Sequence, residues 1–264
     1  MGDMFTVETG RGTPSIFFVH GFACDHTDWN AQLEAFAPRH AVVACDLRGH
    51  GQTPGEAAEC SIETYGADVA SVLVARNLAP AVLVGHSMGC RVVLEALRLA
   101  PERVAALVFV DGSRMGTGDP DEAAEAMRVA IGFAGFPAFA EALFSQMFLR
   151  PSTDATRIVG RAKRLPAPIG AALMPSMVRW DASRMEAALG SVRVPLMVVQ
   201  STTMNANRKR VPLAAGETSP WLDLVRKRVP HARIEVVPGL GHFPQIEAPA
   251  QVNTLLAGFV GALA

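Results

Sequence analysis

The chain has 264 residues, within the range an α/β fold spans as one unit, and half of them are apolar while only 19% are charged. Lysine plus arginine (24) nearly balances aspartate plus glutamate (25) with no basic block, which excludes the electrostatic footprint of nucleic-acid binding and leaves a small, fairly apolar molecule as the expected partner. The four cysteines, Cys24, Cys45, Cys60 and Cys90, are spaced too widely for a zinc ribbon or a C-x-x-C redox pair, so neither a metal nor a thiol couple is implied.

The first dozen residues lack a charged stretch followed by an apolar run, so a cytoplasmic protein with reduced thiols is the default expectation. Met1 and Gly2 with Thr6 match an N-myristoylation pattern in form, but residues 4–8 read better as a first strand. Short apolar runs follow at 16–19, 41–45, 81–84, 104–110, 196–199 and 234–237, rich in valine and isoleucine. Such uninterrupted runs suit strands buried on both faces of a mainly parallel sheet. Helical patterns at 65–77, 88–100, 220–229 and 249–262 alternate with them. The expected fold class is therefore α/β, a doubly wound, mainly parallel sheet with helices on both faces. The apolar C-terminal stretch is about half the length a spanning helix requires, so it reads as a last helix on the sheet and no membrane partner is expected. Either a monomer or a homodimer is compatible with this pattern.

One stretch breaks the alternation. Between Asp111 and Pro195 roughly 80 residues carry no convincing strand, too many for a structureless loop in a compact domain. They are rich in alanine, methionine and phenylalanine, and read as inserted helices broken at Pro137, Pro151, Pro166, Pro168 and Pro175. The organisation is thus a core of residues 1–113 and 192–264 with a helical cap at 114–191, inserted after the sixth strand. The cap follows a strand's C-terminal end, which places it over the edge where open α/β sheets bind ligands.

Gly85-His86-Ser87-Met88-Gly89 stands between an apolar strand and a helical pattern, the context that a nucleophile elbow requires. The sharp turn holds Ser87 in a strained backbone, glycines allow close chain approach, and the helix start offers N–H groups. Among seven histidines, only His242 lies in a glycine-flanked loop after the last strand, where it can reach over Ser87 as general base. His86 adjoins Ser87, but side chains diverge around such a turn. His20, His26, His40, His50 and His231 read as structural or surface residues, and Cys24 and Cys90 as small packing residues.

With three further blocks, His20-Gly21-Phe22 after the second strand, Asp46-Leu47-Arg48-Gly49-His50-Gly51 after the third and Gly239-Leu240-Gly241-His242-Phe243-Pro244 after the last, nearly the whole chain resembles the α/β-hydrolase superfamily. The four blocks in this order look like its capped esterase, lactonase and carbon–carbon-bond hydrolase branch. The resemblance implies an oxyanion hole built from the N–H groups of Phe22 and Met88, and no cofactor. It also implies that Asp46 and His50 are architecture. Many members place the triad acid after the seventh strand, yet here that segment, residues 200–205, has no carboxylate. A smaller group, including haloalkane dehalogenases, places it at the end of the sixth strand, and Asp111 stands there. An aspartate closing so apolar a strand needs a partner, which an imidazolium supplies. Glu217 and Asp223 are the alternative acids.

The expected chemistry is cleavage of a carboxylic ester or lactone of a small, apolar substrate through an acyl-serine. Carbon–carbon bond hydrolysis and perhydrolase or haloperoxidase-like activity use the same apparatus. A non-enzymatic ligand binder is the remaining alternative, favoured only by the altered segment at 200–205. Trp29, near the oxyanion loop, and Trp180, in the cap, are the candidate substrate-binding aromatics. Few charges lie near the motifs, so a strongly anionic substrate is not expected.

Overall fold

A computed structural model describes residues 4–76, 78, 80–205 and 209–263. Met1 and Gly2 of the lipidation pattern, and Asn77 at an expected helix end, lie outside the described residues. Seven strands form the main sheet: β1 (Thr6–Thr9), β2 (Ile16–Val19), β3 (Val42–Cys45), β4 (Ala81–His86), β5 (Val104–Val110), β6 (Leu196–Gln200) and β9 (Arg233–Val236). Their order is β1-β3-β2-β4-β5-β6-β9, every pair parallel except the antiparallel edge strand β1. The apolar runs are strands because both faces are covered. Phe17, Val19 and Leu83 point into one core with Tyr65, Val69 and Val93. Ile16, Phe18 and Val84 point into the other with Leu33, Val252 and Leu256. The first core packs under α2 (Ile62–Ala75), α3 (Gly89–Leu99) and α9 (Pro220–Arg228), and the second under α1 (Asn30–Phe36) and α11 (Pro249–Gly261).

This topology positions the site. The chain leaves β2 toward β3, then crosses back to β4 on the other side of β2, so its winding reverses between β2 and β4. A crevice opens beyond the C-terminal ends of neighbouring strands at such a switch point. The loop after β2 carries Phe22 and the turn after β4 carries Ser87, with Val19 and Gly85 paired in register below them.

Between β5 and β6 lie five helices: α4 (Pro120–Ala134), α5 (Phe136–Ser145), α6 (Thr153–Arg164), α7 (Ala167–Ser183) and α8 (Met185–Gly190). Pro137 and Pro168 sit in first turns, where a missing N–H removes no hydrogen bond. The expected break at Pro175 does not occur. That residue lies inside α7, whose flanking Leu173, Met174, Met177 and Val178 are buried, and this packing offsets the one lost backbone bond. The insertion follows the fifth strand of this chain, not a sixth, because the sheet has one antiparallel edge strand before β2. A short hairpin, β7 (Thr202–Met204) with β8 (Arg210–Pro212), extends from the end of β6 where the sequence suggested only an altered loop.

The inserted helices are tied to the core by ions. Arg91 of α3, 1% exposed, donates Nε and Nη2 to Asp181 of α7 at 2.7 Å each. Arg161 of α6 reaches Asp25 (2.7 Å) and Asp28 (2.6 Å) beside the loop after β2. Charges removed from water in this way hold only with partners, so each pair fixes the placement of one helix over the sheet.

Candidate active site

Among the described residues, three non-glycine residues have a left-handed backbone: Ala23 (φ 54°), Ser87 (φ 53°) and Asp111 (φ 45°). All three stand on loops at the C-terminal sheet edge, after β2, β4 and β5. Such conformations cost of order 1–3 kcal/mol each and persist where the surroundings over-determine them. At Ser87 the surroundings are explicit. A Cβ on Gly85 would lie 2.4 Å from the Gly89 carbonyl oxygen, and one on Gly89 would lie 2.4 Å from that of Val19. Only glycines let the strand, the turn and the helix start come so close. The Ser87 N–H donates to the Val110 carbonyl at 3.0 Å, which fixes the elbow to the neighbouring strand.

Ser87 Oγ lies 2.9 Å from His242 Nε2, and His242 Nδ1 lies 2.6 Å from Asp111 Oδ2. With Nδ1–H donating to the carboxylate, Nε2 carries the lone pair that accepts from the serine hydroxyl. The histidine loop is held on several sides. His242 N–H donates to the Met147 carbonyl at 2.7 Å, and His86 Nε2 lies 2.8 Å from the His242 carbonyl. Glu247 accepts from the N–H groups of Gly241 (3.0 Å) and Phe243 (3.2 Å).

Asp111 is fully buried, and residues 200–202 build its seat. The N–H groups of Ser201 and Thr202 both donate to Oδ1 at 2.8 Å, the Thr202 hydroxyl donates to Oδ2, and Arg210 Nη1 reaches Oδ2 at 3.2 Å. The segment that lacks a carboxylate therefore supplies the donors for one on the neighbouring strand. Burial pushes the Asp111 carboxyl up, but His242, Arg210 and the Thr202 hydroxyl outweigh it and hold it below the usual range. Glu217 and Asp223 lie elsewhere: Glu217 accepts from Ala214 N–H, and Asp223 from Thr218 and Arg226, all at exposed positions before or within α9.

Burial, then the Arg210 charge, lowers His242 to about 4 despite Asp111. A base depressed in this way is competent above that value and is lost as pH falls through it. The acid limb of kcat/KM is therefore expected near pH 4, with a plateau through neutrality. An initial-rate profile from pH 3 upward checks this; an acid limb near the ordinary histidine range would contradict the burial of the imidazole.

Neither the Phe22 N–H nor the Met88 N–H has an acceptor among the described residues. Around Phe22 the expected architecture is in place. His20 Nε2 accepts from Leu47 N–H at 3.0 Å, His50 Nε2 from Ala23 N–H at 3.2 Å, and Asp46 from His26 N–H at 2.7 Å and Gln52 N–H at 2.8 Å. Ser87 and His242 open into a narrow cavity walled by Phe22, Phe144, Met147, Met174, Met177 and Met204. Trp29 and Trp180 are not in this wall. Trp29 is fully buried against Phe18 in the core across the sheet, and Trp180 is 1% exposed with its indole N–H taken by Glu95 at 2.8 Å. Large rings found better burial in packing than in a cleft. Sequence reasoning did not single out Arg91, Arg210 and Glu247. Arg91 and Arg210 line the cavity although Arg210 is 99 residues from Asp111, and no local signal marks either.

The chain belongs to the alpha/beta hydrolase family, whose model matches residues 16–255. Members of this family include hydrolases and esterases. Particular relatives narrow the company. The chain is 29% identical over 261 residues to the dihydrolipoyllysine-residue acetyltransferase component of the acetoin cleaving system of Pseudomonas putida, covering 95% of this chain and 64% of that one. It spans less than two thirds of the length of the first two curated relatives it matches, 64% and 29%. Over 134 residues, 49% of this chain and 50% of the other, it is 35% identical to a pimeloyl (acyl-carrier protein) methyl ester esterase of Methylococcus capsulatus. A solved N-acyl homoserine lactone degrading enzyme superposes with a TM-score of 0.76 at 25% identity, covering 97% of this chain and 96% of that one.

Proposed function

We propose that this protein hydrolyses a carboxylic ester or lactone of a small, largely apolar substrate through an acyl-serine. The observation that carries the reading is the continuous chain Asp111–His242–Ser87 at 2.6 and 2.9 Å, beside two backbone N–H groups without acceptors among the described residues. Ser87 Oγ attacks the carbonyl carbon as its proton passes to His242 Nε2. The resulting oxyanion accepts from Phe22 N–H and Met88 N–H, and two such donors each contribute roughly 3 kcal/mol of barrier lowering. Collapse breaks the bond to the alkoxy oxygen, which takes the proton from His242. Water, deprotonated by His242, then attacks the acyl-serine, and the second collapse returns the proton to Ser87. Asp111 keeps the imidazole in the required tautomer and balances the imidazolium charge. The similarity to the lactone degrading enzyme and to the methyl ester esterase supports the ester and lactone class.

A panel of p-nitrophenyl esters and lactones of graded acyl length tests the reading. The expected result is Ser87-dependent turnover of esters, lactones or both, with a preference set by the methionine and phenylalanine wall. Saturable binding of these compounds without any Ser87-dependent turnover would overturn it in favour of a ligand-binding member of the fold.

A further inference from the structure

The cavity wall is apolar apart from the reacting groups, a few other polar side chains and two arginines, which differ in how they are used. Arg91 uses four of its five N–H donors: Nε and Nη2 donate to Asp181, Nη1 reaches the Ser87 carbonyl at 3.2 Å, and Nη2 also reaches that of Ser113 at 2.8 Å. Arg210, its side chain 8% exposed, engages only Nη1, shared between Asp111 and the Thr202 hydroxyl at 2.7 Å. Among the described residues its Nε and Nη2 have no hydrogen-bond partner, and the side chain lines the cavity. A guanidinium carries five donors in a planar fork, and the unfilled edge of such a fork matches a carboxylate. A second cleft shares Ser113, Met204 and Arg210 with the cavity, and its wall adds Lys227, Asp223 and Arg114, the last paired with Glu186 at 2.8 Å.

We propose that the unfilled edge of Arg210 binds a carboxylate carried by the substrate, so that the preferred ester or lactone has an apolar body and one terminal acid group. This deepens the hydrolase reading and rests on it. It also gives the arginine a function that positioning Asp111 does not require, since one N–H suffices for that. The Arg210 charge opposes protonation of His242. A bound carboxylate offsets that charge, so the anionic substrate restores basicity to His242 at the moment it is needed.

The test compares mono-p-nitrophenyl glutarate with p-nitrophenyl pentanoate, which match in chain length and differ in the terminal acid. In wild type, kcat/KM for the glutarate ester is expected to exceed that for the pentanoate by about 30-fold, the scale of a hydrogen bond to a charged group. In Arg210→Gln the ratio should fall to about one, and Arg210→Lys should keep part of it as a point charge. Both variants are expected to lose absolute rate through Asp111, so the ratio is the readout, with circular dichroism confirming that each is folded. A wild-type ratio of one or less, or a ratio unmoved in Arg210→Gln, overturns the proposal. Calorimetric titration with glutarate needs no turnover: saturable binding weakened in Arg210→Gln supports the carboxylate site even if neither ester is cleaved. Absence of turnover with binding intact would instead sink the hydrolase reading, and absence of glutarate binding overturns the site itself.

Discussion

Replacing Ser87 by alanine is expected to lower kcat about 10⁶-fold, with His242→Ala causing a loss of the same order and the double variant little more. The non-additivity follows from the geometry. With Nε2 2.9 Å from Oγ, the two groups form one proton-transfer unit, and either is useless for nucleophilic attack without the other. The strain at Ser87 adds a second signature. Alanine removes the hydroxyl but keeps the left-handed backbone at φ 53°, so the fold should survive with its melting temperature nearly unchanged. Steady-state rates on an active ester, with thermal unfolding of each variant, separate loss of chemistry from loss of structure.

Asp111→Asn is expected to cut kcat about 10⁴-fold, as the corresponding change does in serine proteases. The amide can present its oxygen to the N–H groups of Ser201 and Thr202, but its NH₂ then faces His242 Nδ1–H and Arg210 Nη1. Donor meets donor, His242 is driven to the other tautomer, and Nε2 no longer accepts from Ser87. Glu217→Gln and Asp223→Asn, which alter the exposed carboxylates considered as alternative acids, should leave kcat within about twofold, as surface changes usually do. If either of these reduced turnover as strongly as Asp111→Asn, the assignment of the acid would be wrong.

The sheet was legible because parallel strands buried on both faces leave uninterrupted apolar runs, and strand and helix ends shift by no more than three residues at the described positions. Ser87 and His242 were legible as candidates because a strained elbow and a closely packed histidine loop each need glycines at fixed places, Gly239 at φ 77° and Gly241 against the Met147 carbonyl in the second case. Asp111 was legible through its chemistry: a carboxylate at the end of so apolar a strand implied a buried partner. Its seat was not. Ser201 and Thr202 contribute backbone N–H groups, which every residue has, and hydroxyls that are common in any loop, so a segment that seats Asp111 read as one that had lost its carboxylate. Arg210 lies beyond the described hairpin strand β7, and its approach to Asp111 depends on the β7–β8 pairing rather than on any motif. The two tryptophans were misplaced for a related reason. Position along the chain put them near the site, while tertiary packing turned Trp29 under the sheet and Trp180 toward Glu95.

The central claim is that Ser87 is an activated nucleophile, and covalent labelling tests it without knowledge of the substrate. Wild-type protein treated with a small alkyl fluorophosphonate at neutral pH should take up one label per chain, located on the Ser87 peptide by mass spectrometry. Ser87→Ala should take up none and His242→Ala should react far more slowly. Labelling at another residue, or none in wild type while the fold is intact, would contradict the account.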